Sequence, residues 1–439
     1  MPPMVYGVVA IPAATSSENL QALEEVKDFC TTDLGRGGHE RWTYHILPEP
    51  TLSVELQTMS NARSRRYVDS VTFQPCAAYA SLNQDRYSIE DWDLPGGSWT
   101  FTAIFDGHCG HDTVNYVQRR LPSMIRMSLQ ALLQSTPNSP LNPELVSKVL
   151  TSSIRHLDDS IRSDLLSLLP PEQLENMNDA QLDQHVLHHY PEWCDVSAKC
   201  TQGSTVLVAL TDPHNRNLWV ANLGDSQAVL GTRRGSGKWS AVMINSTHNG
   251  NNPSERRRIM RDHPGEQNCV SDNRVIGYLA PTRAVGDTWL KLPAIYTRRA
   301  FARHSPEWLS PGMIQQYASR ILTPPYVSDV PEVHHHSLNS TASRQEVFLI
   351  LCSDGLPDLY DGIDMQLDDQ QMADRWVQVV GKSLNSRVDK DGGASANLAL
   401  SLLRDAIGGD DVELVSRNVT LEMEDKWMDD VTILIQRFQ

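Results

Sequence analysis

Asp106, Gly107 and His108 stand together in the segment Ile-Phe-Asp-Gly-His-Cys-Gly at 104–110, a carboxylate, a glycine carbonyl and an imidazole at the end of an apolar run. Ahead of them Trp99, Phe101, Ala103 and Phe105 recur at every second position, the period of a half-buried strand. The acid thus falls where a strand leaves its sheet, and the glycine permits close approach of the backbone. Three more acidic segments share the design. Asn83-Gln84-Asp85-Arg86 leads into Tyr87-Ser88-Ile89, Cys352-Ser353-Asp354-Gly355 ends the apolar run 347–351, and Asp429-Asp430 directly precedes the apolar run 431–435. Carboxylates gathered at the mouths of neighbouring strands repel one another strongly. Hard divalent cations resolve that conflict, because Mg²⁺ and Mn²⁺ prefer oxygen ligands and retain several waters. Two such ions about 3.5–4 Å apart can share a deprotonated water as nucleophile and neutralise a phosphoryl group. Each aspartate taken singly is explained as well by a turn or a helix cap; the set is what points to metal chemistry.

The elements that must position these residues follow from periodicity. Val114, Val117 and Leu121 share one helical face that Pro122 is expected to interrupt. Asn142-Pro143 is a cap followed by a first-turn proline, and Leu145, Val149, Ile154, Leu157, Ile161 and Leu165 then form a core-facing stripe up to Pro170-Pro171. Residues 171 to about 198 are polar and acidic and read as an insertion. Strands at 204–210, 218–223, 227–230 and 241–244 are separated by turn residues, which predicts antiparallel hairpins. Buried strands at 347–351 and 431–435 enclose helical patterns near 368–384 and 394–407, the second closed by Gly408-Gly409. Strand runs with helices between them predict an α+β sandwich, not a doubly wound parallel sheet.

In this order the acidic segments, with Gln202-Gly203-Ser204-Thr205, Ala221-Asn222-Leu223-Gly224-Asp225-Ser226, Thr282-Arg283-Ala284-Val285-Gly286-Asp287 and the Asp429-Asp430-Val431-Thr432 start of the last strand, resemble the metal-dependent protein serine/threonine phosphatases of type 2C, the PPM family. The resemblance covers residues 70–439, approximately; residues 274–283 and 324–332 look most like its pyruvate dehydrogenase phosphatase branch. It implies a four-layer α-β-β-α sandwich, two central antiparallel sheets flanked by helices, with the metal site at one end. It also implies that Asp106 bridges two Mg²⁺ or Mn²⁺ ions, that the Gly107 carbonyl binds one, and that Asp354 and Asp429 hold one. Asp85 would support the other through water, and Asp225 and Asp358 match a weaker third position. A metal-bridged hydroxide would attack phosphorus while His108 protonates the departing seryl or threonyl oxygen, a role suited to an imidazole. The domain would run over 66–439, behind a 1–65 extension, with a helical insertion at about 123–198 and a variable flap at about 248–323.

The chain departs from the family pattern at three places. Gln84 stands where a glutamate is usual, Ala80 where many members carry a phosphate-binding arginine, and Pro357 where a tryptophan is usual. Capture of the substrate phosphate then falls to the metal alone or to another cation, Arg86 or Arg283. Pro357 reads as a local packing change, but Gln84 and Ala80 keep a second reading open, a catalytically weak or inactive pseudophosphatase serving as a binding or regulatory module. Asp287 reads as turn architecture or an outer contact, Cys109 as an inert small side chain, His334-His335-His336 as surface loop histidines, and Arg256-Arg257-Arg258 as a solvated helix face.

Bulk numbers bound the rest. A net charge of −16 argues against nucleic acid or an anionic membrane surface as partner. No stretch is long and apolar enough to span a membrane. Seven scattered cysteines without a C-x-x-C pair fit a reducing compartment. Glu18, Glu24, Glu25 and Asp28 precede the first arginine, Arg36, unlike a mitochondrial transit peptide. The expectation is therefore a cytoplasmic monomer acting on phosphorylated protein, with a mitochondrial location the alternative that the branch resemblance raises.

Overall fold

The computed structural model describes residues 30–37, 40–76, 83–135, 140–235, 237–303, 311–338, 345–361, 367–388 and 397–438. Ala80 and residues 1–29 lie outside them. The chain divides into two compact units, Gln84–Asp354 with Gln436–Gln439, and Met1–Asn83 with Gly355–Ile435.

The larger unit opens with β1 (Arg86–Leu94), β2 (Gly97–Phe105) and β3 (Gly107–His108), followed by the helices α1 (Asp112–Ser135), α2 (Pro143–Leu168) and α3 (Tyr190–Thr201). Then come β4 (Gly203–Ser204), β5 (Val206–Thr211), β6 (Asn217–Leu223), β7 (Gln227–Arg234) and β8 (Ser240–Met243). Helix α4 (Pro253–Asp262), β9 (Val285–Gly286), β10 (Glu332–Ser337) and β11 (Gln345–Cys352) complete the set used below. Strands β10, β6, β5, β2 and β1 form one antiparallel sheet in that order, and β8, β7 and β11 pair antiparallel in a second. The hairpins and the α+β class expected from the turn residues are what the chain forms.

Helices α1, α2 and α3 cover one face of the first sheet, where Trp99, Phe101 and Trp219 meet Val117, Ile125, Ile154 and Leu157 in a single core. Each such aliphatic side chain taken from water contributes about 1.5–3 kcal/mol. The other face of β2 is buried too. Thr102 Oγ1 donates to Gln436 Oε1 at 3.1 Å, and Gln436 Nε2 donates to Thr211 Oγ1 at 3.1 Å. Strand β2 is therefore buried on both faces, Thr102 and Ile104 included, and not half-buried as the alternation suggested.

Two helix expectations need correction. Pro122 does not end α1, which continues to Ser135 with Leu121, Pro122, Ile125 and Leu129 on its buried face. Burial along that face offsets the hydrogen bond that proline cannot make, a loss of about 3 kcal/mol. In α2 the Asn142 side chain accepts from Glu144 N as the cap requires, but the first turns bury Val146 and Leu150, leaving Leu145 and Val149 half-buried. The segment read as a polar insertion is helical, at Pro171–Asn176, Asp179–His188 and α3.

In the smaller unit Val68–Phe73 pairs antiparallel with Arg63–Arg65 and lies beside Val431–Phe438, and helix Leu398–Ala406 is capped on Asp69 through Leu398 N at 3.0 Å. Residues 42–59 dock on the stretch 413–422. Tyr44 Oη donates to Glu413 Oε1 at 2.9 Å and His45 N to Thr420 Oγ1 at 2.8 Å. Helix Gly355–Asp361 carries Pro357 in its first turn, where its missing N–H is not needed.

Candidate active site

Three distant segments build the floor of the site as a small antiparallel sheet, β9-β4-β3. Gly107 and His108 pair with Ser204 and Gly203, which pair in turn with Val285 and Gly286. Asp106 is set at the end of β2 by Thr205: Asp106 N donates to Thr205 Oγ1 at 3.2 Å, and Thr205 N to the Asp106 carbonyl at 2.8 Å. The same hydroxyl lies 3.1 Å from Ser226 Oγ, which fastens the turn that carries Asp225. Gly107 can be nothing larger, because a Cβ would stand 2.8 Å from the Gln84 carbonyl oxygen and from Val114. Its N–H donates to that carbonyl at 3.3 Å.

Gln84 has a defined job here. With Nε2 toward the Gly107 carbonyl (3.1 Å) and Oε1 toward the Gly110 N–H (2.9 Å), its amide braces the turn. A glutamate could accept from Gly110 but could not donate to Gly107. Gln202 supports the next turn, accepting from Asp112 N at 2.7 Å and donating to Asp112 Oδ2 at 2.9 Å at the start of α1.

His108 Nε2 lies 2.7 Å from Asp287 Oδ2, and the Asp287 side chain is 1% exposed. Burial works against a charged imidazole, but the Asp287 charge and hydrogen bond outweigh it, and the His108 pKa is raised. Asp287 is held in the left-handed region, φ 45°, and its N–H donates to the Gln202 carbonyl at 2.8 Å. Behind it, Lys291 Nζ bonds Asp158 Oδ1 at 2.6 Å with side chains 2% and 1% exposed, and Gly286 N donates to the same oxygen at 2.9 Å.

The remaining expected residues are placed as follows. Asp85 is buried and its Oδ2 accepts from Ser353 Oγ at 2.7 Å, next to Asp354. Asp225 is buried, with Asn249 Nδ2 3.5 Å from its Oδ2, and its charge is among those that raise His108. His248 clamps that turn, its Nδ1 accepting from Gly224 N at 3.3 Å; burial pushes its pKa down. Arg86 is anchored by Nε to Asn115 Oδ1 at 2.9 Å and by Nη1 to the Asp85 carbonyl at 2.8 Å. Arg283 is taken by Glu255, at 2.6 and 3.0 Å, and by the Val330 carbonyl at 3.0 Å. Asp358 and Asp429 belong to the smaller unit. Asp358 lies in the first turn of its helix, and Asp429 Oδ1 accepts from Lys426 Nζ and Asp430 N, both at 2.8 Å.

Among the described residues no group of three or more His, Cys, Asp or Glu side chains is placed to hold a metal ion. Asp85, Asp106, Asp225, Asp354 and the Gly107 carbonyl all lie in the larger unit and are oxygen donors, the type a hard divalent cation prefers.

Other sequence readings are settled locally. Cys109 approaches Tyr278 Oη at 3.4 Å, and burial pushes its thiol up to about 12, an unreactive state. The histidine triplet is not a loop: it lies in β10, where pairing with β6 sends His335 to Asn217 Oδ1 (2.9 Å) and His334 and His336 to the opposite face. Of the three arginines on α4, Arg256 and Arg257 are exposed, while Arg258 turns to Glu255 at 2.8 Å.

A protein-family model described as Protein phosphatase 2C matches residues 93–365, well over half of the 439. A protein phosphatase 2C homolog of Schizosaccharomyces pombe is 28% identical over 83% of this chain and 79% of its own. The mitochondrial pyruvate dehydrogenase phosphatase 1 of Bos taurus is 30% identical over 54% of this chain and 47% of its own, so the chain spans about half of that relative's length. A serine-threonine phosphatase 2C from Toxoplasma gondii superposes with a TM-score of 0.48 at 16% identity, over 86% of this chain and 97% of that one. The chain belongs to the protein phosphatase 2C family, the metal-dependent serine/threonine protein phosphatases. A pseudophosphatase has no support among these relatives.

Asp287, Gly203 and Lys291 were not legible as site residues. The contact of Asp287 with His108 spans 179 positions, and an Asp after glycine reads as a turn. Gly203 faces that pair so closely that a Cβ would lie 2.1 Å from both Asp287 Oδ2 and His108 Nε2. Gly203→Ala is therefore expected to push the pair apart, lowering kcat on a phosphopeptide by about 10²-fold and stability by about 1–3 kcal/mol. Steady-state kinetics with a urea melt measure both, and a variant with unchanged kcat would show that the glycine is dispensable.

Proposed function

We propose that the chain removes phosphate from phosphoserine and phosphothreonine in protein substrates, with the end of β2 as the reacting centre. The observation that carries this reading is one turn that presents a half-buried carboxylate at Asp106, a carbonyl at Gly107 braced by Gln84 and an imidazole at His108 backed by a buried acid. Asp106, the Gly107 carbonyl, Asp354 and Asp85 would hold two Mg²⁺ or Mn²⁺ ions, with Asp429 assigned to them from the family motif alone and Asp225 and Asp358 assigned from it to a weaker third position. Bound there, the cations polarise the phosphoryl oxygens and lower the pKa of water at the site. Thr205 fixes the direction of Asp106, and Gln84 keeps the Gly107 carbonyl aimed. Arg86, anchored by Asn115, is the cation we assign to the substrate phosphate. His108 holds the proton that the leaving oxygen takes.

The domain we propose runs over 66–439 with its helical insertion and flap, acting as a monomer in the cytosol. The seven cysteines form no disulfide with one another, which supports a reducing compartment. Among the described residues no helix is long and apolar enough to cross a membrane. Relatives named pyruvate dehydrogenase phosphatases make a phosphoserine peptide from such a dehydrogenase the first substrate to try. Full-length protein treated with chelator and then given Mn²⁺ is expected to release phosphate from that peptide only after the metal is added. Faster release from phosphorylated metabolites than from phosphopeptides would overturn the protein-substrate reading.

A further inference from the structure

We infer that Asp287 is a positioning residue for the proton donor: it fixes the His108 ring through Nε2 and reserves Nδ1 for the departing oxygen of the substrate. The inference rests on the reading of His108 as general acid. Four observations carry it. The Nε2 to Oδ2 distance is 2.7 Å, and Asp287 is almost wholly buried, so the contact is protected from competing water. Among the described residues His108 has no second hydrogen-bond partner, which leaves Nδ1 available on a side chain 19% exposed.

The backbone is also committed to this contact. Asp287 keeps φ at 45°, the left-handed region that residues with a side chain adopt only at an energetic cost. It is kept there by the hydrogen bond from its N–H to the Gln202 carbonyl and by the 3₁₀ turn Thr288–Leu290 that follows. Gly286, at φ 82°, and Gly203 clear the space on either side; a Cβ on Gly286 would meet the Gln202 carbonyl oxygen at 2.4 Å. A turn acid with only a capping role would face solvent or its own backbone. This one faces an imidazole on a strand far away in sequence.

The step served balances simply. A water oxygen forms the new bond to phosphorus, the bond from phosphorus to the seryl Oγ breaks with its electron pair on Oγ, and the proton on His108 Nδ1 moves to that oxygen. An alkoxide needs the proton, whereas nitrophenolate leaves as an anion without it. The test compares wild type, Asp287→Ala, Asp287→Asn, His108→Ala and the Asp287→Ala/His108→Ala double variant on a phosphoserine peptide and on p-nitrophenyl phosphate, all at saturating Mn²⁺.

The ratio of kcat on the peptide to kcat on the aryl phosphate is expected to fall about 10²-fold in Asp287→Ala and at least about tenfold in Asp287→Asn, with KM for the peptide nearly constant. The double variant should be no slower than His108→Ala, because both changes disable one device. Equal losses on the two substrates would make Asp287 merely structural and overturn the inference while the reading of His108 stands. A His108→Ala variant with an unchanged ratio would instead overturn that reading. Calorimetric Mn²⁺ titration guards the interpretation: if Asp287→Asn weakens metal binding in step with its kcat, the residue acts through the metal and the inference fails. Asp287→Asn preserves side-chain volume and keeps the test available if the alanine variant does not fold.

Discussion

Asp106→Asn is expected to slow release of phosphate from a phosphoserine peptide by about 10³-fold or more and to weaken Mn²⁺ binding, with the fold intact. The substitution is nearly isosteric. The backbone bonds that set residue 106, from its N–H to Thr205 Oγ1 and from Thr205 N to its carbonyl, do not involve the changed atoms. What is lost is a charged oxygen donor, and a neutral amide is a poor ligand for a hard cation. Kinetics at saturating Mn²⁺, calorimetric titration and a urea melt separate the effects. A variant that binds Mn²⁺ as wild type does and keeps its rate would remove Asp106 from the metal site.

The second large effect is on stability. Lys291→Met is expected to destabilise the protein by about 3–5 kcal/mol, because it leaves the Asp158 carboxylate buried without its counter-charge. Lys291 Nζ also donates to the Ala284 carbonyl at 2.8 Å, so the substitution strips a second buried partner. Burial already pushes the Asp158 pKa up, with Lys291 opposing, and removing the lysine drives it further up. A folded-state pKa above the unfolded one means that the native state binds the proton more readily. Stability of the variant then falls as pH rises through that interval, and acidifying from about pH 7 to about pH 5 should recover part of the loss. Urea melts at the two pH values measure this. Lys291→Met/Asp158→Leu, with both charges gone, should regain most of the stability; a double variant as unstable as the single would show that the lysine acts by packing alone.

Much of this was legible from the chain alone, for identifiable reasons. The alternation Trp99, Phe101, Ala103, Phe105 marks a strand whatever surrounds it, and the Asn142-Pro143 start of a helix is a local property. Thr102 and Ile104 look like solvent-facing residues because no local pattern reveals that a second sheet lies behind them. Pro122 reads as a stop because its missing hydrogen bond is local, whereas the burial that offsets it comes from other elements. Within the site, Asp106, Gly107 and His108 share one short motif and could be found together. The assignment of distant acids to metals came from the family pattern and not from spacing. Asp287, Gly203 and the Lys291–Asp158 pair were out of reach, since their partners are set only when the strands close.

The small sheet β9-β4-β3 has a consequence for the order in which the molecule assembles. Its strands come from three stretches far apart in sequence, so the loops between them must close before Gly203 can sit against His108 and Asp287. Closing them costs chain entropy that only the finished core returns. Helices α1 and α2 draw on near-neighbour contacts and can form early, but His108 gains Asp287 as its partner only when the last registers lock. The His108–Asp287 contact is thus tied to completion of folding, and a half-assembled chain with most of its helix content lacks it.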